Sequence, residues 1–324
     1  MQKIAILLEP YENIADEGIS KLQNTELELV WLNNDNQLYN NQSIKDVSAI
    51  LVRGAAVNEK IMTAMPKLKI IARAGVGTDN IEIETATERN IYVCNVPDAN
   101  FISVAEHVLS MILALSHQVI PGNKKIREGA FEARHHYIGT ELMGKTIGIF
   151  GFGRIGKMVA QICVYGFNMN VLAYDPFVKS TDIIKVRLVN NPDTIYDEAD
   201  YITLHLPYTE EHHHYISEQE LTKMKKSAYI INCARGGLID EVALTNAIQR
   251  GEIAGAGVDV FEQEPPSINH VLWDSKEIIA TPHMGASTSE ALTRMAVGAA
   301  EEIIRVLNDD TPLNAINSYA VKNK

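Results

Sequence analysis

Arg235, Glu264 and His283 stand in separate stretches of the chain, and their side chains complement one another chemically. A guanidinium is a planar fork that matches a carboxylate. An imidazole titrates near neutral pH, so His283 can take the hydroxyl proton of a secondary alcohol as hydride leaves its carbon. A carboxylate on the other ring nitrogen would orient that ring and favour its charged form, a place Glu264 can fill. Arg235 follows Ile230-Ile-Asn-Cys233 and precedes Gly236-Gly237, Glu264 lies just beyond an expected strand at 255–259, and His283 follows Thr281-Pro282 beyond another at 277–280. Open α/β sheets bind ligands at the carboxyl ends of their strands. Singly, a loop glutamate, a histidine after proline and an arginine before two glycines also read as surface or structural residues. Their shared rim is the argument for a site.

A second group is suited to phosphate. Ile147-Gly-Ile-Phe150 runs into Gly151-Phe-Gly153-Arg154-Ile155-Gly156 and then into a helical stretch, 157–165. Gly151 allows a tight turn, Gly153 leaves room for a pyrophosphate, Gly156 lets helix and strand approach, and the helix N-terminus attracts the charge. Asp175 ends the next expected strand, 19 residues after Gly156, where an acid bonds the adenosine ribose hydroxyls. Such an acid repels a 2'-phosphate, and Pro176-Phe177 follow it rather than an arginine, so the expected cofactor is NAD rather than NADP.

Two further arginines end strands near the amino terminus: Arg53, and Arg73 before Gly75-Val76-Gly77. Two guanidinium groups and a turn with free N–H groups suit a carboxylate and a phosphate. They also read as surface decoration. The run His212-His213-His214 suggests a metal, but adjacent side chains point apart and no acidic or cysteine partner has ligand-like spacing, so no metal is expected there.

The elements that must place these residues alternate. Short β-rich runs at 3–8, 27–32, 49–53, 68–72 and 91–94 precede a second series at 146–150, 170–174, 201–204, 228–232, 255–259 and 277–280. Such alternation with helical periodicity predicts α/β layers on two parallel sheets. Two long helices, 101–117 and 287–307, have apolar spacing that suits either a domain bridge or a core helix. With 324 residues, 46% hydrophobic, the chain can bury two cores. A net charge of -12 argues against nucleic acid or an anionic membrane as partner. Three cysteines, Cys94, Cys163 and Cys233, cannot all pair internally and read as reduced thiols of a cytoplasmic protein. No apolar run reaches the ~20 residues of a membrane span, and the opening one ends at Glu9-Pro10.

Taken together, Gly151 to Gly156, Asn232-Cys-Ala-Arg-Gly-Gly237, Gly257-Val-Asp-Val-Phe261, Glu264-Pro265 and His283-Met-Gly-Ala-Ser-Thr288 resemble the D-isomer-specific 2-hydroxyacid dehydrogenase family over essentially the whole chain. The resemblance implies two doubly wound parallel-sheet domains: a Rossmann NAD-binding domain, 100–285, inserted in a flavodoxin-like substrate domain made of 1–99 and 286–324. It implies that Arg235, Glu264 and His283 form the catalytic set. Expected cofactor contacts are Gly151, Gly153, Arg154, Ile155, Gly156, Asp175, Pro207, Ala234 and Asp259, the last facing the nicotinamide carboxamide. Within the family, Arg73-Ala-Gly-Val-Gly-Thr-Asp-Asn80, Asn100 with Ser103-Val-Ala-Glu-His107, Gly285-Ala-Ser-Thr288 and Asn314-Ala-Ile-Asn317 are most similar to the members that oxidise phosphoglycerate on the way to serine.

That likeness implies a phosphorylated 2-hydroxy or 2-keto acid held by Arg53, Arg73, Gly75, Val76, Gly77, Asn100 and Arg134, although Phe131 stands one residue off the usual spacing before Arg134. It also implies a homodimer or homotetramer joined through cofactor domains. Formate-oxidising members carry glutamine where Glu264 stands, which argues against formate. Hydroxypyruvate or glyoxylate reduction remains an alternative, as does an NAD-responsive corepressor that retains the same residues. Some phosphoglycerate-oxidising members carry a carboxyl-terminal serine-binding extension. The chain stops seven residues after Asn317, so feedback through one is not expected.

Overall fold

A computed structural model describes residues 2–9, 12–32 and 42–318. The chain divides into two units, Met1–Asn100 with Ser287–Lys324 and Phe101–Ala286. Each is built on one parallel sheet flanked by helices.

In the first unit β1 (Gln2–Leu7), β2 (Leu27–Leu32), β3 (Val47–Val52), β4 (Ile70–Arg73) and β5 (Tyr92–Cys94) lie in the order β2-β1-β3-β4-β5. Every pair is parallel. All six residues of β3 are buried, as a central parallel strand covered on both faces requires. The order reverses between β1 and β3, so the ligand crevice of this topology opens at their carboxyl ends. Arg53 follows β3 there, and Val52 pairs in register with Arg73. Both arginines therefore lie on one edge of the sheet.

The helix Ser289–Leu307 packs against β3, β4 and the helix Asp16–Gln23. Contact is so close that a Cβ on Gly18 would come 2.6 Å from that of Ala296. The closing Asn314-Ala-Ile-Asn317 returns to β5: Cys94 bridges Ala315, while buried Asn317 accepts from the Val93 N–H (2.9 Å) and donates to the Ile91 carbonyl (2.9 Å).

In the second unit β6 (Thr146–Phe150), β7 (Asn170–Tyr174), β8 (Val186–Leu188), β9 (Tyr201–Leu204), β10 (Tyr229–Asn232), β11 (Gly255–Val258) and β12 (Ile278–Ala280) form a seven-stranded parallel sheet, β12-β11-β10-β9-β6-β7-β8. The edge strand β8 is absent from the sequence expectation, because three partly exposed residues are too few for a readable period. The helix Phe101–Ser116 buries Val104, Val108, Met111, Ile112 and Leu115 and packs on the helix Arg154–Phe167, β10 and β11. It and Ser289–Leu307 are thus each core helices of one unit. Among the described residues no single helix is long and apolar enough to cross a membrane.

Where the Arg154–Phe167 helix meets β6, a Cβ on Gly156 would come 2.2 Å from the Gly151 carbonyl oxygen and 3.2 Å from the Ile149 side chain. Backbone cannot rotate away as a side chain can. Gly156→Ala is expected to destabilise the second unit by about 1–3 kcal/mol in urea unfolding. Gly153→Ala should cost less, since its Cβ would meet nothing within 4 Å.

Candidate active site

The order of the second sheet reverses at β6, which lies between β7 and β9, and the glycine loop occupies the crevice at their carboxyl ends. Gly151 holds φ at +86°, and a Cβ there would press 2.5 Å from the His205 carbonyl oxygen. Gly153, the residue that caps the Arg154–Phe167 helix, faces open space. Arg154 is exposed and Ile155 half-buried in the first turn, where unpaired N–H groups favour an anion.

Asp175 grips the loop from β7: its Oδ2 accepts from the Phe152 N–H (2.8 Å) and its Oδ1 from the Phe177 N–H (2.9 Å). A carboxylate has about four acceptor positions, so capacity remains on both oxygens for ribose hydroxyls. Pro207 is exposed beyond β9, its carbonyl accepting from His212 (2.9 Å).

His205, which the sequence reading passed over, has Nε2 3.2 Å from the Thr203 hydroxyl and a buried Nδ1 with no partner among the described residues. Burial pushes its pKa down to about 3, so the ring is neutral. An open glycine cradle at a helix N-terminus, a carboxylate with spare acceptors and an orphaned imidazole nitrogen fit a dinucleotide.

Arg235, Glu264 and His283 stand just beyond β10, β11 and β12 at the rim of the same sheet. His283 Nδ1 lies 2.7 Å from Glu264 Oε2. Because a carboxylate only accepts, the proton of this bond belongs to Nδ1, leaving Nε2 for chemistry. Glu264 Oε1 accepts from the Phe261 N–H (3.1 Å). Burial pushes the Glu264 carboxyl up, but the bonds from His283 and Phe261 and the charge of Arg235 outweigh it and hold the group below the usual carboxylate range.

Arg235 is half-buried after β10 and donates to the Ala234 carbonyl (2.7 Å). Asn232 sets this turn, accepting from the Ala234 N–H (3.0 Å) and donating to the Arg235 carbonyl (2.8 Å). A Cβ on Gly236 would lie 1.9 Å from the Phe261 carbonyl carbon, so glycine is what brings the Arg235 turn against the Glu264 loop.

Asp259 carries a role that its residue type did not announce. Only 1% exposed, it accepts from the Thr281 hydroxyl (2.5 Å) and Met284 N–H (2.9 Å) through Oδ1, and from the Gly285 N–H (2.8 Å) through Oδ2. Its carbonyl accepts from the His283 N–H (2.8 Å), and His283 holds the left-handed φ of +49°. Burial raises the Asp259 carboxyl, yet the bonds from His107, Thr281, Met284 and Gly285 prevail and lower it.

In the first unit Arg53 donates to the Asn13 carbonyl (3.3 Å), and Asn80 anchors its backbone. The Arg73 guanidinium lies across Gly75, where a Cβ would fall 1.2 Å from its terminal nitrogen. Val76 and Gly77 are half-buried, and the Val76 carbonyl accepts from Asn95 (2.7 Å). The Asn100 Oδ1 is buried with no partner among the described residues. Arg134, in the second unit, is exposed and stacks over Phe131 at 4.8 Å. Each ring of the histidine run has its own partner: His212 the Pro207 carbonyl, His213 the Tyr208 hydroxyl (3.2 Å) and His214 Glu262 (2.7 Å).

Residues 109–285 match the sequence signature of the D-isomer specific 2-hydroxyacid dehydrogenase, NAD binding domain. The chain belongs to this family. It is 42% identical over 279 residues to the D-3-phosphoglycerate dehydrogenase of Methanocaldococcus jannaschii, covering 85% of this chain and 53% of that one. The chain spans about half the length of such curated relatives. Among solved structures, a protein from Thermus thermophilus superposes with TM-score 0.88 at 28% identity, covering 96% of this chain and 99% of its own. A glyoxylate reductase from Paecilomyes thermophila gives 0.85 at 26%, covering 98% and 99%. The second unit of this family member is therefore a nicotinamide dinucleotide-binding domain.

Asn232, Thr281, His107 and His205 escaped the sequence reading as site residues, although each lies within three residues of one that it named or at the end of a motif that it quoted. Asp259→Asn tests the buried anchor. A folded-state pKa held low gives stability that is present above the unfolded value and lost as pH falls through the folded one. The variant is expected to lose about 1–3 kcal/mol at neutral pH, with faster amide exchange at Met284 and Gly285, and the gap to the parent should close in acid.

Proposed function

We propose that this family member oxidises 3-phospho-D-glycerate to 3-phosphohydroxypyruvate with NAD, the first step of the phosphorylated route to serine. The observation that carries the reading is the 2.7 Å His283–Glu264 bond on the rim that also holds Arg235. Similarity near 40% to phosphoglycerate dehydrogenases supports the substrate.

Bound nicotinamide would supply the acceptor for the two electrons that leave C2 with its hydrogen. Arg235 binds the carboxylate and the developing carbonyl. His283 Nε2 takes the hydroxyl proton in oxidation and returns it in reduction, while Nδ1 keeps its own proton on Glu264. Glu264 orients the ring and stabilises the imidazolium. Arg53, Arg73, the Gly75–Gly77 turn, Asn100 and Arg134 receive the remaining anionic groups. Asp175, accepting ribose hydroxyls and repelling a 2'-phosphate, favours NAD. A second reading, glyoxylate reduction, draws on the likeness to the glyoxylate reductase.

Homo-oligomerisation is also proposed, through the segment from Val119 to Met143. The helix Val119–Arg127 has no buried residue, and Val119, Ile120, Ile126, Phe131, Ile138 and Met143 are each more than half exposed. Six exposed apolar side chains within one segment suit a second copy.

Turnover decides the substrate: kcat/KM should be higher for 3-phosphoglycerate than for glycerate, and with NAD than with NADP. Arg53→Ala is expected to lower the former by roughly 10- to 150-fold. Equal use of glycerate would favour hydroxypyruvate reduction, and equal use of glycolate would favour glyoxylate reduction. His283→Ala should lose on the order of 10² to 10⁴ in both directions with dinucleotide binding retained. In Glu264→Gln the alkaline limb of the reductive profile should move to lower pH, because an amide no longer stabilises the cation.

A further inference from the structure

A second set of side chains in the Phe101–Ala286 unit converges on Asp259, the anchor of the His283 turn. His107 from the Phe101–Ser116 helix, Cys233 just past β10 and Asp259 just past β11 offer an imidazole nitrogen, a sulfur and a carboxylate oxygen, all within 4.8 Å of one another. His107 Nε2 stands 3.4 Å from Asp259 Oδ1 and 3.0 Å from the Thr281 hydroxyl. A tetrahedral zinc-like ion holds such ligands at about 2.0–2.3 Å, so its donors lie roughly 3.5 Å apart. Side-chain rotation has only about an ångström to close. Nitrogen and sulfur exclude magnesium and calcium, which take oxygen, and select a soft or borderline divalent cation.

We propose that His107, Cys233 and Asp259 form an inhibitory site for a thiophilic divalent cation such as zinc or cadmium. The cation would take Cys233 as the thiolate, the thiol proton leaving to solvent. The Thr281 hydroxyl gives its one proton to Asp259, so the bond from His107 to Thr281 uses an Nε2 proton, and a cation on Nε2 takes the other neutral tautomer, with that proton on Nδ1.

Occupancy would act through Asp259. Its oxygens, drawn to the cation, would loosen their hold on Thr281, Met284 and Gly285, which fix the turn bearing His283. Loss of turnover, but not binding itself, rests on the catalytic reading of His283.

Cadmium titrated into the full chain tests this by two readouts: ultraviolet thiolate-to-cadmium charge-transfer absorption with equilibrium dialysis, and turnover of 3-phosphohydroxypyruvate with NADH. One tight cadmium per chain is expected, its absorption saturating as turnover falls and both reversing with EDTA. Cys233→Ser should abolish the absorption and weaken binding by roughly tenfold or more, and His107→Gln should keep the sulfur but weaken binding similarly. Cys163→Ala, altering a buried thiol elsewhere, should leave both unchanged. Absence of binding, or absorption that survives Cys233→Ser or disappears in Cys163→Ala, overturns the site. Binding with turnover intact overturns its inhibitory role. A chain inactive on the keto acid would fail the functional reading, while absorption and dialysis would still decide the site.

Discussion

A carboxylate sealed from water must be matched by hydrogen-bond donors, and Asp259 draws those donors from the segment that carries His283. Two backbone N–H groups and a threonine hydroxyl converge on its oxygens, while its carbonyl takes the His283 N–H. The turn that satisfies them puts His283 at a φ of +49°, which the body of an L-residue rarely adopts. Asp259 also donates its own N–H to the Asn232 carbonyl (2.9 Å), joining the β11 end to the turn that presents Arg235. One residue thereby ties the His283 turn, through its carboxylate, to the Arg235 turn, through its backbone.

Close backbone approach completes the arrangement. Gly236 sits against Phe261, whose N–H fixes Glu264, so the arginine turn and the glutamate loop share one contact. Glu241, nearly buried, braces the same loop from behind by accepting from the Glu262 N–H (3.0 Å) and pairing with His270 (3.0 Å). On the cofactor side Gly151 and Gly156 let β6, β9 and the following helix meet at the crevice, and Asp175 clips the loop to β7. The glycine loop and the His283–Glu264 pair then lie along one edge of a single sheet. The parallel topology places them there, because every strand's carboxyl end points the same way.

The two sheets and the glycine loop were legible because strand-turn-helix order and glycine spacing are local properties. Arg235, Glu264 and His283 were legible as types at strand ends, and a 2.7 Å bond joins His283 to Glu264. Asp259 was legible only as a family position. Half of its donors are backbone N–H groups, which have no residue type to read. The edge strand β8 is too short for a period. Asp175 was read for what it offers a ribose, yet half its acceptors hold the protein's own loop. Asn317, quoted only as part of a closing motif, ties the carboxyl-terminal segment to β5 through bonds spanning more than 220 residues of sequence, beyond any local pattern.

The central claim, that Asp259 holds His283 where its Nδ1 proton meets Glu264, is tested most directly by the NMR resonance of that proton. The parent protein is expected to show a strongly deshielded Nδ1–H assigned to His283, absent from His283→Ala. In Asp259→Asn, where Glu264 is intact, the account predicts that this resonance is lost or moves well upfield. An unchanged resonance in folded Asp259→Asn would contradict it.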